Sequence, residues 1–324
     1  MNFIKMKTYY FMKNYVWALL CLLWLTNANA QQDPQYTQYM YNMSVINPAY
    51  ATDDMGVVNI GALYRSQWAG TVGAPNTLTF YAHTPFNERV ELGLSILTDE
   101  IGEGAVKESN IYGDFAYVLP MSNDAKLSLG LKAGVTLFET SFSDFQLESG
   151  DFSTDPAFGE GLNRAFPNVG IGAFYFTDTY YVGLSAPNLL STKHLENDSG
   201  IQRLGSEEIH FFLTGGYVHE FSEDLKLKPS VLVRAVGNAP LMVDISANVL
   251  FNKRFEGGLS YRLDDSVSGM FNFKVTPDLR IGYAYDYTLS NLGDFGSGSH
   301  EVFVLFNLDL LGLRQGYDKS PRFF

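Results

Sequence analysis

The stretch Lys126–Phe138, KLSLGLKAGVTLF, alternates apolar and polar residues with a period of two. One set of alternate positions is entirely apolar: Leu127, Leu129, Leu131, Ala133, Val135 and Leu137. Successive side chains of an extended strand point to opposite faces, so this alternation predicts a β-strand with one apolar and one polar surface. The same pattern recurs at 241–251 and at 279–287, which indicates that one structural unit is repeated along the chain.

About fourteen such segments lie between residues 57 and 308, and most are close to the ~9–11 residues that cross a bilayer as a tilted strand. They are 57–65, 76–84, 90–98, 109–119, 126–138, 166–176, 179–186, 207–219, 225–236, 241–251, 254–262, 267–274, 279–287 and 299–308. The even-numbered strands are followed by tight turns, whereas most odd-numbered ones are followed by longer loops. Short turns at one end and long loops at the other are typical of outer-membrane barrels, whose short turns face the periplasm.

We therefore predict an all-β fold: a transmembrane outer-membrane β-barrel of about 14 antiparallel strands. A sheet in hydrocarbon must close on itself, because every unpaired backbone N–H or C=O at an open edge is costly there. An even number of strands would place both termini in the periplasm. The alternative is a secreted all-β sandwich, whose strands also alternate but whose apolar faces point inward.

The first thirty residues are typical of a cleaved secretory signal peptide. Three lysines precede an apolar run from Val16 to Leu25, which is too short to span a membrane, and Ala-Asn-Ala ends at Ala30. Removing residues 1–30 would take away the single cysteine, Cys21, and lower the net charge from −13 to −16. We therefore expect no disulfide and no cysteine-ligated metal, and an acidic chain of this kind is a poor partner for nucleic acid.

Two segments flank the predicted barrel at 57–308. Residues 31–56 do not alternate; Tyr36, Tyr39, Met40 and Met43 have helical spacing, and Asn47-Pro48 should end the helix. We predict either a plug or partner-binding arm, or a short helix that caps the periplasmic mouth. Residues 309–324 form a predicted periplasmic tail that ends in Phe323-Phe324, which either docks to a partner or packs beneath the barrel.

The polar faces of the strands should line the lumen. The predicted lumen residues include charges of both signs: Glu91, Asp114, Lys126, Lys132, Lys228, Arg234, Asp244, Glu256, Arg262, Lys274, Arg280 and Asp286. Opposite charges can pair across a barrel, which favours a plugged or narrow lumen over an open one, although a porin lumen would also be polar.

Three stretches carry a family resemblance: QYTQYMYN followed by INPAYA near the N-terminus, YRSQWAGTVGAPNTLTFYAHTPF at 64–86, and the terminal KSPRFF. With LGLSIL at 92–97, they resemble the PorP/SprF family of Bacteroidetes type IX secretion membrane proteins. The resemblance implies an outer-membrane barrel that helps export or attach large secreted proteins, including gliding adhesins with a type B C-terminal domain. It also implies periplasmic partners in the secretion apparatus or linked to peptidoglycan.

From location and resemblance together we predict eight partner-binding residues: Tyr36, Tyr39, Arg65, Gln67, Trp68, Arg322, Phe323 and Phe324. The loop after Trp68 is rich in Gly and Pro, which permits close backbone approach to a partner or to the lumen. A purely structural role is the alternative, in which Arg65 forms a buried ion pair with a lumen acid and Trp68 anchors the barrel at the membrane interface.

The sequence offers little support for catalysis or for a cofactor. No two of the five histidines have metal-ligand spacing, and Ser299 and His300, as adjacent strand residues, should face opposite sides. The acids of loop 139–165 lack the spacing of a calcium loop, so a solvated acidic loop is favoured over a Ca²⁺ site. We therefore predict a non-enzymatic secretion barrel without cofactor or metal; a small-solute porin or transporter is the second hypothesis and an outer-membrane enzyme the third.

Overall fold

The computed structural model describes residues 34–52, 55–141, 163–190, 208–237, 239–290, 293 and 296–310. The predicted signal peptide, the tail residues Arg322, Phe323 and Phe324, and most of loop 139–165 therefore lie outside the described residues. Among the residues that the structure does describe, no helix is long and apolar enough to cross a membrane.

The chain forms fourteen antiparallel strands joined into one sheet. They are β1 (Val57–Ser66), β2 (Asn76–Asn87), β3 (Val90–Ile101), β4 (Val106–Pro120), β5 (Lys126–Thr140), β6 (Asn163–Phe176), β7 (Tyr180–Ala186), β8 (His210–Tyr217 and His219–Ser222), β9 (Leu225–Val236), β10 (Met242–Phe251), β11 (Phe255–Arg262), β12 (Ser266–Lys274), β13 (Leu279–Thr288) and β14 (Ser299–Asp309). The two segments of β8 both pair with β9 and are separated only at Val218, so they act as one strand.

The sheet closes on itself because the first strand pairs with the last. This pairing runs from Val57 opposite Asp309 to Ser66 opposite His300. All other neighbours are consecutive along the chain. Closure leaves no free sheet edge at this seam, and it confirms the predicted barrel of about 14 strands.

The sheet carries apolar side chains on its outer face and polar side chains on its inner face, which is the opposite of the arrangement in a soluble protein. Outward side chains are large and apolar, such as Leu131 with 60% and Leu259 with 68% of their surface exposed. Inward side chains are polar and buried, such as Lys228 and Glu256. This arrangement suits a lipid surround. All the predicted lumen charges are buried except Lys126, which is half-buried at the short-turn end of β5.

Inside the barrel lies the lumen segment, residues 34–52. It contains a 3-10 turn at Tyr39–Tyr41 and a single-turn helix, α1, at Met43–Ile46. Its side chains form the apolar core together with inward aromatics of the wall, including Phe174, Tyr181 and Phe303. The predicted end of the helix is confirmed, since α1 stops before Asn47-Pro48.

Candidate functional site

The lumen segment runs along the inside of the barrel from one end to the other. Thr37 bonds to Asp286 near the long-loop end of β13, whereas Thr52 bonds to Glu91 at the short-turn end of β3. β1 begins and β14 ends at the short-turn end, as the sequence predicted. The described N-terminal residues, however, turn back through the lumen to the long-loop end instead of only capping the periplasmic mouth.

At the long-loop end, one arginine and two acids hold the segment. Arg65 lies 2.6 Å from Asp286 and 3.2 Å from Glu301, and all three side chains are buried. The hydroxyl of Thr37 donates to Asp286 at 2.7 Å. The backbone N–H groups of Thr37 and Gln38 donate to Glu301 at 2.9 and 2.8 Å. The ion pair between Arg65 and a lumen acid, one of the two roles considered for Arg65, is therefore present.

Further down, Tyr41 joins the segment to a second charge pair. Arg280 donates to Glu256 at 2.7 Å and to the phenol oxygen of Tyr41 at 2.9 Å, and that phenol donates to Glu256. The phenol of Tyr81 donates to the backbone carbonyl of Tyr41. Buried charges are tolerated when they are paired and hydrogen-bonded, and here the lumen segment supplies part of that pairing.

At the short-turn end, the segment bonds to a third set of charged side chains. The backbone N–H of Thr52 donates to Glu91 at 2.6 Å, and Glu91 lies 2.9 Å from the ring nitrogen Nδ1 of His83. Lys132 donates to the carbonyl of Val45 at 3.1 Å and lies 3.4 Å from Asp114. Hydrogen bonds thus join the lumen segment to the barrel wall along the whole described length of the segment.

Glycines on β5 and β6 make room for the Asn47-Pro48 turn. A Cβ atom at Gly130 would lie 2.3 Å from the Ala49 nitrogen, and one at Gly172 would lie 2.1 Å from the Asn47 Oδ1. Gly130 and Gly172 are direct cross-strand partners, so they form one shallow trough in the wall. The side-chain amide of Asn47 donates to the Ala173 carbonyl at 3.1 Å, which fixes the turn in this trough.

The predicted partner-binding residues that the structure describes lie in two places. Tyr36, Tyr39 and Arg65 are buried inside the barrel, where the phenol of Tyr36 lies 2.8 Å from the Thr79 hydroxyl. Gln67 and Trp68 instead lie half-buried at the long-loop end. Their role in binding a partner stays a prediction.

Residues 67–75 form the rim loop, which is bonded to its neighbours. The backbone N–H of Ala69 donates to the Gly298 carbonyl at 2.7 Å, and that of Gly102 donates to the Gly73 carbonyl at 2.9 Å. Trp68 has a φ of +47°, which is uncommon for a residue other than glycine. Val72 projects from the loop with 83% of its surface exposed. The rim loop therefore presents an ordered surface outside the lumen.

Ser299 and His300 do not form a catalytic pair. Ser299 is buried on the lumen side, and its hydroxyl accepts a hydrogen bond from the Trp68 backbone at 3.1 Å. His300 points to the opposite side, where its Nδ1 lies 2.7 Å from the Tyr283 phenol. Within the described ranges, no group of three or more His, Cys, Asp or Glu residues is placed to hold a metal ion.

The sequence pattern did not single out Glu301, one of the lumen acids that hold the segment. Glu301 occupies an inward position of β14, but it lies next to His300 at the start of the strand, where alternation is weak. Its two bonds to the N-terminal segment join residues more than 260 positions apart. Such contacts depend on how the lumen segment threads the barrel, which local periodicity does not encode.

Several solved structures are similar to this chain at low sequence identity. Omp33 of Acinetobacter baumannii has a TM-score of 0.44 and 7% identity, with 78% of this chain and 98% of that chain covered. A FadL homologue of Pseudomonas aeruginosa has a TM-score of 0.44 and 12% identity, covering 82% and 92%. The Pseudomonas putida toluene transporter TodX has a TM-score of 0.46 and 11% identity, covering 83% and 93%.

Likenesses this distant are not informative about function, and no curated protein sequence matches this chain. The model of one protein family, in contrast, matches most of the chain. It covers residues 28–306, from just before the lumen segment to within the last strand, and it is described as "Type IX secretion system membrane protein PorP/SprF". The closed barrel agrees with that description, and the chain belongs to the PorP/SprF family of type IX secretion system membrane proteins.

Proposed function

We propose that this chain is a non-enzymatic outer-membrane barrel of the type IX secretion and gliding machinery, which helps to export or attach specific large secreted proteins at the cell surface. The proposed cargo is adhesin-like, with a type B C-terminal domain. Residues 1–30 act as a cleaved signal peptide that sends the chain to the outer membrane. The observation that carries the proposal is the family match over residues 28–306.

The filled lumen favours a role as an anchor or receiver over a role as a conduit. The lumen segment is bonded to Glu301, Glu256 and Glu91 at successive levels of the barrel. A folded or extended cargo chain would have to displace all of these bonds to pass through. Cargo is therefore expected to bind the outer surface of the protein, and a small-solute porin, the competing function, would need the same segment to move.

Two surfaces are available to partners in this proposal. The rim loop, with Gln67 and Trp68, lies at the long-loop end, which faces the outside in outer-membrane barrels, so we assign it to the secreted cargo. The tail with Arg322, Phe323 and Phe324 is assigned to periplasmic secretion or peptidoglycan-linked partners. Tyr36 and Tyr39 would reach a partner only if the lumen segment left the barrel, because both are buried there.

The proposal is tested by deleting the gene and comparing the surface proteomes of the deletion and parent strains. We expect one or a few type IX cargo proteins to disappear from the surface of the deletion strain. The deletion is then complemented with Trp68→Ala, with Asp178→Ala in a short turn as the matched control. Delivery should be impaired by Trp68→Ala and restored by the control. Unchanged delivery of every cargo in the deletion strain would refute the proposal.

A further inference from the structure

A cavity lies between the lumen segment and the barrel wall, towards the long-loop end. It contains about 770 Å³ of space free of protein atoms, including the part that is open to solvent. Val45 and Ile46 of α1 line it on the side of the segment. On the side of the wall, its lining includes Arg234, close to the end of β9, and Met242, the first residue of β10. The cavity therefore extends from α1 to the level at which these two strands meet the long-loop end.

Most of the inner surface of the cavity is apolar. Leu97 of β3, Phe212 of β8 and Leu232 of β9 line it on the side of the wall, and Val45 lines it on the side of the segment. Phe212 and Leu232 are buried. Transfer of an apolar group from water into such a space is favourable, and pockets of this kind are the usual form of small-molecule sites.

The charged groups of the lining leave no net charge for a ligand to neutralise. They are two acids and two arginines: Glu108, Asp244, Arg234 and Arg262. Arg262 donates to Asp244 at 2.7 Å, and Glu108 accepts a hydrogen bond from the side-chain amide of Asn110 at 2.7 Å. Arg234 donates to the sulfur of Met242 at 2.9 Å. A charged ligand would lose its hydration here without gaining an unpaired opposite charge, which favours an uncharged ligand.

Two polar atoms of the lining have no hydrogen-bond partner. One is the hydroxyl oxygen of Ser95, a residue with only 2% of its surface exposed, and the other is the side-chain oxygen of Asn188. Buried polar groups are normally hydrogen-bonded, because an unpaired one keeps the full cost of its desolvation. A ligand with a hydroxyl or an N–H group would supply the missing bonds.

We propose that this cavity binds a small uncharged molecule with an apolar body and a hydroxyl group, which enters from the long-loop end. The apolar body packs among Leu97, Phe212 and Leu232, and the polar groups of the ligand bond to Ser95 and Asn188. The site is separate from the rim loop, and it needs neither cargo nor movement of the lumen segment. It can therefore be absent while the proposed role in secretion holds, and the reverse is also true.

The test uses the full-length barrel in nanodiscs of phosphatidylcholine and three probes that share one ring system. Tritiated 2-(indol-3-yl)ethanol is uncharged, whereas tryptamine carries a positive and indole-3-acetate a negative group at pH 7. Equilibrium dialysis measures saturable binding of the uncharged probe, and the two charged probes are added as competitors. We expect saturable binding of the uncharged probe and, because neither charge has a free partner in the cavity, charged competitors that bind about tenfold more weakly or worse.

Two neighbouring residues of β3 give the first pair of variants. Leu97→Trp fills the cavity and should abolish saturable binding. Ile96→Trp adds the same side chain on the outer face, where Ile96 is exposed, and should leave binding unchanged. Each variant is first checked for heat-modifiable migration, which reports a folded barrel.

Two serines give a milder pair that tests the hydrogen bond itself. Ser95→Ala should weaken binding of the uncharged probe about three- to tenfold, because it removes one hydrogen bond. Ser128→Ala is the matched control, since the Ser128 hydroxyl is also buried and unpartnered but does not line the cavity. The proposal would be overturned by the absence of saturable binding, by charged probes that bind as tightly as the uncharged one, or by equal effects of Ser95→Ala and Ser128→Ala.

Discussion

At the residue scale, Arg65 shows why the lumen segment is fixed. Its guanidinium lies between Asp286 and Glu301, two acids that are buried with it. A buried carboxylate without a cation is strongly disfavoured, whereas a buried pair with further hydrogen bonds is tolerated. Thr37 and Gln38 supply those further bonds, so the stability of the pair and the position of the segment depend on each other.

We predict that Arg65→Met destabilises the folded barrel by about 3–5 kcal/mol, because it leaves two buried acids without their cation. The matched control is Lys107→Met, which removes an exposed pair with Glu100 and should cost at most about 1 kcal/mol. Urea unfolding in detergent, monitored by tryptophan fluorescence, measures the free energy of unfolding of both variants. Equal losses in the free energy of unfolding of the two variants would show that Arg65 is not part of a buried network.

The features at the residue scale could be predicted only in part from the sequence. Arg65 and Asp286 could be placed in the lumen because each sits on the polar face of an alternating strand. An ion pair of Arg65 with some lumen acid was one of the predicted roles, but its actual partners, Asp286 and Thr37, could not be identified, because the contact joins β1, β13 and the lumen segment across the closed barrel. The burial of Tyr36 likewise depends on the path of the segment.

At the element scale, the strands and the lumen segment follow different rules. A lipid-facing strand needs an apolar side chain at every second position, so its sequence pattern alone locates it. The lumen segment has no such constraint, because it contacts wall residues from many strands. Its helical spacing predicted a helix, yet only a 3-10 turn at Tyr39–Tyr41 and the single turn α1 form. Asn47-Pro48 follows α1 and lies in the trough at Gly130 and Gly172.

We predict that Gly130→Val displaces the lumen segment, because its side chain would overlap the backbone of Pro48 and Ala49. The control is Gly269→Val on the outer face of β12, where an added Cβ would have no atom within 4 Å. Both are made in a Cys21→Ser, Ser44→Cys background, and maleimide labelling of residue 44 is timed in the folded protein.

Labelling should be slow in the parent and in Gly269→Val, because Ser44 is buried. It should be at least tenfold faster in Gly130→Val. If Gly130→Val folds and still labels slowly, the trough does not hold the segment. Failure of Gly130→Val to fold is distinguished by heat-modifiable migration, and the milder Gly130→Ala then replaces it.

At the scale of the whole molecule, the barrel is filled instead of open. The charges that line its lumen are bonded to one another and to the segment inside, as with Arg280, Glu256 and Tyr41. In the sequence analysis, the mixed charges on the polar faces of the strands already favoured a plugged lumen. The direction in which the segment threads the barrel, however, follows from closure of the sheet and could not be inferred locally.

We predict low conductance for the intact protein in planar lipid bilayers and a clear rise when residues 35–50 are deleted, because the deletion removes the lumen segment. A double variant, Gly130→Val with Gly172→Val, keeps the chain length and should also raise conductance several-fold. Gly269→Val serves as its control. High conductance of the unmodified protein would favour the porin hypothesis over the anchor.

Orientation in the membrane gives a further prediction. In a Cys21→Ser background on intact cells, an impermeant maleimide should label Val72→Cys at the rim loop and Gln35→Cys at the upper end of the lumen segment. Asp178→Cys, in a short turn, should react only after the outer membrane is permeabilised. Labelling of Asp178→Cys alone on intact cells would mean that the barrel has the opposite orientation.

The unequal strand lengths described above also give the barrel an uneven height. β4 and β5, with 15 residues each, span ~38 Å along the membrane normal at the usual rise and tilt, whereas the apolar band of such proteins is only ~25 Å tall. Part of that side must therefore stand clear of the bilayer, whereas β11 and β12, with 8 and 9 residues, reach a lower level. Large molecules that diffuse in the plane of the membrane would therefore meet a tall protein wall on one side of the barrel and a low one on the other.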